Sequence, residues 1–190
     1  MGGKRCAFSQ KQKMFVFNIE VGLKRLTINY SIAPALRPGQ SKQENRALAQ
    51  YKMNNIINTD KAAKPLGAYP HARRVGNLLF LSGIGSRSAK DNAIPGLELD
   101  ADGNIVKYDI EAETHQCFAN VKAVLEASGS SWDKIVDVTV FLTNMKKDFA
   151  VYNKIYGEYF KDVQACRTTV EVKSLPTPIA IELKIIATID

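Results

Sequence analysis

Two histidines, three cysteines and one tryptophan are all that this chain of 190 residues offers of those types. His71 and His115 alone give an imidazole-based metal centre almost nothing to build on. Cys6, Cys117 and Cys166 are odd in number, widely spaced and without a C-x-x-C pair, which argues against both a disulfide scaffold and a zinc site and points to a reducing, cytoplasmic setting. No apolar run approaches the roughly 18–20 residues that a membrane span requires. Acid is missing from one region only. Residues 1–52 hold ten Lys and Arg against Glu20 and Glu44, a balance of +8. With a whole-chain charge of +7, residues 53–190 are left at −1, so the core offers no electrostatic footprint for nucleic acid.

The hydrophobic content of 45% suits one well-buried domain with a segment left over. The basic segment 1–52 lacks clear organisation, and a poorly ordered extension or a short helix over 41–52 is expected there. Its apolar run, Met14–Phe17, is too short for a secretory signal; a basic organellar presequence and translation from Met53 both fit its composition.

From Met53 the pattern changes. Asn54–Asn58 suits a strand, and Lys64–His71, with two prolines and a glycine, suits a loop. Gly76-Asn77 reads as a tight turn entering a buried strand that ends near Ser82-Gly83. Asp100–Gly103 is a turn that lacks the later ligands of a calcium loop. Ile110, Cys117, Val121, Val124 and Leu125 recur at helical spacing over Asp109–Ser128, and Phe149, Tyr152, Tyr156 and Phe160 do so after Asp148. Ile135–Phe141 alternates as a strand between them. Core packing is the expected role of those aromatics, ahead of base stacking. Two helices on one face of a mainly antiparallel sheet make an α+β domain over 53–190.

The stretch Cys166–Ile189 carries the candidate chemistry. Arg167–Val172 and Ile179–Ile189 both read as strands around Leu175-Pro176-Thr177-Pro178, which predicts a hairpin-like unit. Period two puts Arg167, Thr169 and Glu171 on one face and sets Glu182 and Lys184 against Ile181, Leu183 and Ile185, so that one polar stripe is expected to carry both Arg167 and Glu182. An arginine can grip a carboxylate through two parallel hydrogen bonds, and a glutamate beside it can move a proton to or from water. The competing reading is a pair of solvated surface charges worth about 0–1 kcal/mol. Cys166 as a nucleophile lacks a supporting His or Asn arrangement.

The segments L-G-A-Y (66–69), L-S-G (81–83), D-F-A-V-Y-N-K-I-Y (148–156), C-R-T-T-V-E-V (166–172) and I-E-L-K-I-I-A (181–187) together resemble the RidA/YjgF family of reactive-intermediate deaminases. That resemblance spans essentially all of residues 54–190. It implies a chorismate-mutase-like α+β protomer, a homotrimer with sites between subunits, no cofactor, and hydrolysis of a small carboxylate-bearing enamine or imine. By motif position Arg167 would bind the substrate carboxylate and Glu182 would activate or protonate water, with Tyr69, Ser82, Gly83, Asn153 and the Thr169 backbone lining the cleft. Pro70, His71, Ser86 and Arg87 make the chain look more like the 2-aminomuconate deaminase branch than the 2-aminoacrylate branch, with Arg87 a candidate partner for a second carboxylate. Thr169 and Ala165-Cys166 depart from the family pattern, which often has a Cys two residues after the arginine and Pro-Ala before it. Some relatives are described as RNA-cleaving, so an RNA-binding translation inhibitor or a non-catalytic ligand-binding trimer is the alternative.

Overall fold

In the computed structural model, residues 18–21, 24–27 and 55–189 are described. The chain divides into two compact units, residues 1–44 and 45–190. In the first, β1 (Asn18–Val21) and β2 (Lys24–Thr27) pair antiparallel. The helix expected over 41–52 lies outside the described residues.

The second unit is built from the hydrophobic periodicities of its sequence. Strand β3 (Ile56–Ile57) pairs with β4 (Ala72–Val75), which turns at Gly76, φ +63°, into β5 (Leu78–Leu81). A glycine takes that positive φ without the steric cost that a Cβ imposes. After Ser82-Gly83 comes the short β6 (Ile84–Gly85), then a small hairpin of β7 (Glu98–Leu99) and β8 (Ile105–Lys107) around the Asp100–Gly103 turn.

Helix α1 (Ile110–Ala127) starts where the Asp109 carboxylate accepts from the N–H groups of Glu111 and Ala112, and it stops at Ser128 before Gly129, φ +75°. Every residue of its expected apolar stripe is buried. Strand β9 (Ile135–Leu142) leads into α2 (Met145–Phe160), capped by Asn144. That helix starts three residues before Asp148. Its inner face is Tyr152, Ile155 and Phe160, whereas Phe149 is exposed. The Phe118, Trp132, Tyr159 and Phe160 rings form a cluster with centroids 4.7–5.9 Å apart; of the four aromatics expected in the core, Tyr152 and Phe160 are buried and Tyr156 is half-buried.

Strands β10 (Cys166–Glu171) and β11 (Ile181–Thr188) complete a sheet ordered β10-β9-β11-β5-β4-β3, with β6 continuing the β5 side of β11. The hairpin expected from Cys166–Ile189 does not form. Strand β9 lies between its two arms, antiparallel to β11 and parallel to β10. The eight alternating residues of β9 bury Ile135, Val138, Val140 and Leu142, so it takes the centre of the sheet. Helix α2 then returns the chain to run parallel beside it, and residues 172–180 pass across to β11.

The single polar stripe is a second correction. Arg167 is in register with Val138, and Val138 with Ile185. Those two aliphatics are fully buried in the core, so Arg167 belongs to the helix-covered face. Glu182 is in register with Phe141, and Phe141 with Val170, in the row that faces away from the helices. Alternation holds within each strand, but the inward residues Val138, Val140 and Leu142 of β9 pair with odd-numbered residues of both β10 and β11, so Arg167 and Glu182 fall on opposite faces. The uncovered face carries Leu78, Phe80, Phe141, Val170 and Ile186, half-buried or exposed, among polar neighbours. Burying one such aliphatic side chain contributes about 1.5–3 kcal/mol.

Candidate active site

Glu182, the second residue of β11, stands where the neighbouring strand is interrupted. Gly85 pairs with Glu182 and Phe80 pairs with Ile186, while Ser82 and Gly83 bridge the gap. A Cβ built on Gly83 would meet the Glu182 carboxylate, its centre at 2.7 Å from Cδ and Oε1 closer still. Glycine at 83 therefore lets the carboxylate rest on bare backbone. Tyr69, Pro70, Arg73, Phe80, Ser82, Gly83, Pro176 and Lys184 wall the resulting cleft around Glu182. Burial alone pushes the Glu182 carboxyl above the ordinary glutamate range.

The cleft wall is tied down by short bonds. Ser82 Oγ donates to the Pro70 carbonyl (2.6 Å) and Ser82 N–H to the His71 carbonyl (2.9 Å). His71 is buried: Nδ1 accepts from Thr59 N–H (3.3 Å), and Nε2, which therefore carries the proton, donates to the Ala63 carbonyl (3.0 Å). This histidine holds the loop that presents Tyr69. It does not face the cleft of Glu182.

Helix α1 secures the other side through polar side chains on its buried face. The Glu113 carboxylate accepts from Ser86 Oγ (2.7 Å) and from Ala180 N–H (2.9 Å), joining the end of β6 to the start of β11. Asn120 Nδ2 donates to the carbonyls of Gly85 and Arg87 (both 2.8 Å), and Cys117 Sγ to that of Ile84 (3.0 Å). Glu113 and Asp148 are both fully buried, and burial raises both carboxyls above their ordinary ranges. Each has one oxygen bonded and one without a partner. The sequence reading missed Glu113 and Asn120. An acid and an amide at helical spacing among Ile110, Cys117 and Val121 are the signal that could have found them.

Arg167 belongs to a different cluster. Its Nη1 donates to Asn153 Oδ1 (2.9 Å), and its guanidinium lies 4.5 Å from the centre of the Tyr156 ring and 5.9 Å from that of Tyr152. Glu171, on the same face, accepts from Met145 N–H at the start of α2 (2.6 Å), which fixes β10 to the helix and aims Arg167 along it. Thr169 lies between them, its Oγ1 buried without a partner. The structure thus gathers Tyr69, Ser82, Gly83 and Glu182 in one place and Arg167, Asn153 and Thr169 in another, on the opposite face of the sheet. Arg87 shares a crevice with Tyr69, Ser82 and Gly83 but does not line the cleft of Glu182. Its Nη1 donates to Asn92 Oδ1 (2.8 Å) and its Nη2 to the Lys64 carbonyl (2.9 Å), in a crevice behind Tyr69 and Ser82.

No group of three or more metal-ligating side chains occurs among the described residues, and none of their helices is long and apolar enough to cross a membrane.

Residues 59–189 match the family model described as Endoribonuclease L-PSP. A RutC family protein of Pyrococcus horikoshii is 40% identical over 135 residues, covering 71% of this chain and 98% of its own. The 2-iminobutanoate/2-iminopropanoate deaminase of Dermatophagoides farinae is 34% identical over 135 residues, covering 71% and 96%. The crystal structure of E. coli TdcF with bound serine matches with a TM-score of 0.61 at 30% identity, covering 71% of this chain and 98% of that one. On the extent of these matches, and on the α+β fold they share with it, the chain belongs to the RidA/YjgF family, the one that the Endoribonuclease L-PSP model describes.

Proposed function

We propose that this protein is a deaminase that hydrolyses a small carboxylate-bearing enamine, as its imine tautomer, to the keto acid and ammonia. The observation that carries the reading is the Glu182 carboxyl. It lies half-buried against the Gly83 backbone, in a cleft shared with Tyr69 and Ser82, and its proton affinity is raised by burial. A carboxyl poised nearer neutrality than an exposed one can take a proton from water and return it to a departing amine. The activity named for the mite relative, and the serine bound to the bacterial one, support a small substrate of this class.

In this reading water adds across C=N, the nitrogen is protonated, and the tetrahedral carbinolamine expels ammonia as its hydroxyl becomes the ketone. No electrons are exchanged, and an iminium is already electrophilic. Glu182 holds the water and relays the proton. Arg167 grips the substrate carboxylate with its planar fork. Within one chain Arg167 and Glu182 face opposite sides of the sheet, so the Arg167 that completes the site comes from a neighbouring copy. A homotrimer, closing on the uncovered apolar face, supplies that arrangement. Among the family's substrates a 2-aminomuconate-like dicarboxylate and a 2-aminoacrylate-like monocarboxylate both suit the Glu182 chemistry. Free Cys117 and Cys166 fit a cytoplasmic home.

Ammonia release from 2-iminopropanoate and from 2-aminomuconate, each generated in situ, tests the reading. Glu182→Gln keeps the shape and loses the proton relay, so kcat should fall at least 100-fold while KM moves little. Wild-type turnover by that variant would refute it.

A further inference from the structure

Arg167 stands on β10, an edge strand of the sheet that is exposed at nearly every position. A long side chain in such a place ordinarily samples many rotamers and gives up that freedom only when it binds. Here one stripe of α2 restrains it twice. Asn153 accepts a hydrogen bond from Nη1 (2.9 Å), and Tyr156, three residues further on, sets its ring centre 4.5 Å from the guanidinium. One turn later Phe160 stacks on Tyr156, with centroids 4.1 Å apart and planes 7° from parallel. Phe160 is buried and packs against Phe118 and Trp132. The Tyr156 ring therefore cannot turn away from Arg167 without breaking a stack rooted in the core. Its hydroxyl is buried without a partner, so the ring, and not a hydrogen bond, ties this residue to its surroundings. Restraint by a ring differs from restraint by an acid. Arg167 makes no ion pair among the described residues, and an aromatic face attracts the cation without cancelling its charge. The guanidinium is held and still unneutralised.

We infer that Tyr156 is a positioning residue for the reaction: its ring, backed by Phe160, holds the Arg167 guanidinium in the orientation that receives the substrate carboxylate. Tyr156 does not touch the substrate and acts only through Arg167. The inference rests on the role proposed for Arg167 as the carboxylate grip. A bidentate grip depends on the direction in which the planar fork points, so fixing that direction before binding lowers the ordering cost of the complex. Because the carboxylate is held in the ground state and in the transition state alike, the contribution belongs to KM more than to kcat.

The full-length protein is tested in two arms. In the first, deamination of 2-iminopropanoate generated in situ is followed in the wild type and in Tyr156→Phe, Tyr156→Leu and Tyr156→Met, the last of which keeps a flexible apolar side chain against Phe160. Tyr156→Phe retains the ring and should match the wild type within about two-fold. Tyr156→Leu and Tyr156→Met should raise KM about ten-fold with kcat changed less than about two-fold. In an Arg167→Ala background nothing is left to orient, so the same replacements should leave the residual kcat/KM unchanged. In the second arm, calorimetric titration with 2-oxobutanoate reads carboxylate binding without turnover, and its affinity should follow the same pattern. Failure of the wild type to release ammonia counts against the deaminase reading, and the binding arm still decides the role of Tyr156. Unchanged KM and 2-oxobutanoate affinity in both ring-less variants overturn the inference. So does an equal loss in the Arg167→Ala background, which would make Tyr156 merely structural, or a wild type that binds no 2-oxobutanoate. A shift in assembly mass in the ring-less variants overturns it too, by assigning Tyr156 to contacts between copies.

Discussion

Glu113 is a buried acid with no part in the proton relay, and its replacement gives the sharpest test of how the site is held. Two donors, Ser86 Oγ–H and Ala180 N–H, converge on one of its oxygens at 2.7 and 2.9 Å. Glu113→Ala leaves both without a partner in a place that water does not reach. An unsatisfied buried donor costs about 1–3 kcal/mol. The variant also escapes the cost of burying a carboxyl whose other oxygen has no partner, so the net loss should be about 2–4 kcal/mol. Glu113→Gln keeps an acceptor carbonyl and should lose about 1 kcal/mol or less. Urea unfolding at constant m-value reads both.

Because burial raises the Glu113 and Asp148 carboxyls in the fold, the folded state holds protons that the unfolded chain releases first. The stability they contribute is fully present below their ordinary values, 4.5 and 3.8, and is lost as pH rises through the raised ones. Glu113→Gln should flatten that fall. A loss under about 0.5 kcal/mol in the alanine variant, or a pH slope that the glutamine variant leaves unchanged, would refute the idea that Glu113 joins β6 to β11.

Gly83→Ala should abolish deamination while leaving thermal unfolding almost unmoved, since the added methyl claims the space of the Glu182 carboxylate and that side chain can swing into the open cleft; full activity would show that the carboxylate does not work from that position. Arg167→Ala should lower kcat/KM by two to four decades, about 3–5 kcal/mol, and Arg167→Lys should restore only part of it, as steady-state kinetics will show. Because Arg167 and Glu182 face opposite sides of one sheet, mixing the two inactive variants Arg167→Ala and Glu182→Gln after subunit exchange should restore activity, and a mixture as inactive as its components would place the whole site within one chain.

How far the sequence discloses this site depends on which physical rule governs each residue. Alternation along Ile181–Ile189 and helical spacing over Asp109–Ser128 are local, and they located the buried sides of β11 and α1 correctly because one face of each meets the core. The pairing of β10 is not local. Cys166–Glu171 is exposed at nearly every position, so its hydrophobic pattern carries almost no information about which strand it joins or in what register. Its neighbour is fixed instead by α2, which brings the chain back parallel to β9, and by Glu171 docking on the first turn of that helix. A nearest-in-sequence hairpin between Cys166–Glu171 and Ile181–Thr188 is the economical guess, and it puts Arg167 and Glu182 in one stripe. Once β9 is inserted, the two residues part to opposite faces, and the motif that looked like a complete site becomes two halves. Arg87, singled out in the sequence with Ser86, has the backbone of Lys64 and the side chain of Asn92 as its partners. A local motif can therefore nominate Glu182 and Arg167 one by one, but which face of the sheet each occupies is decided by the order of the strands.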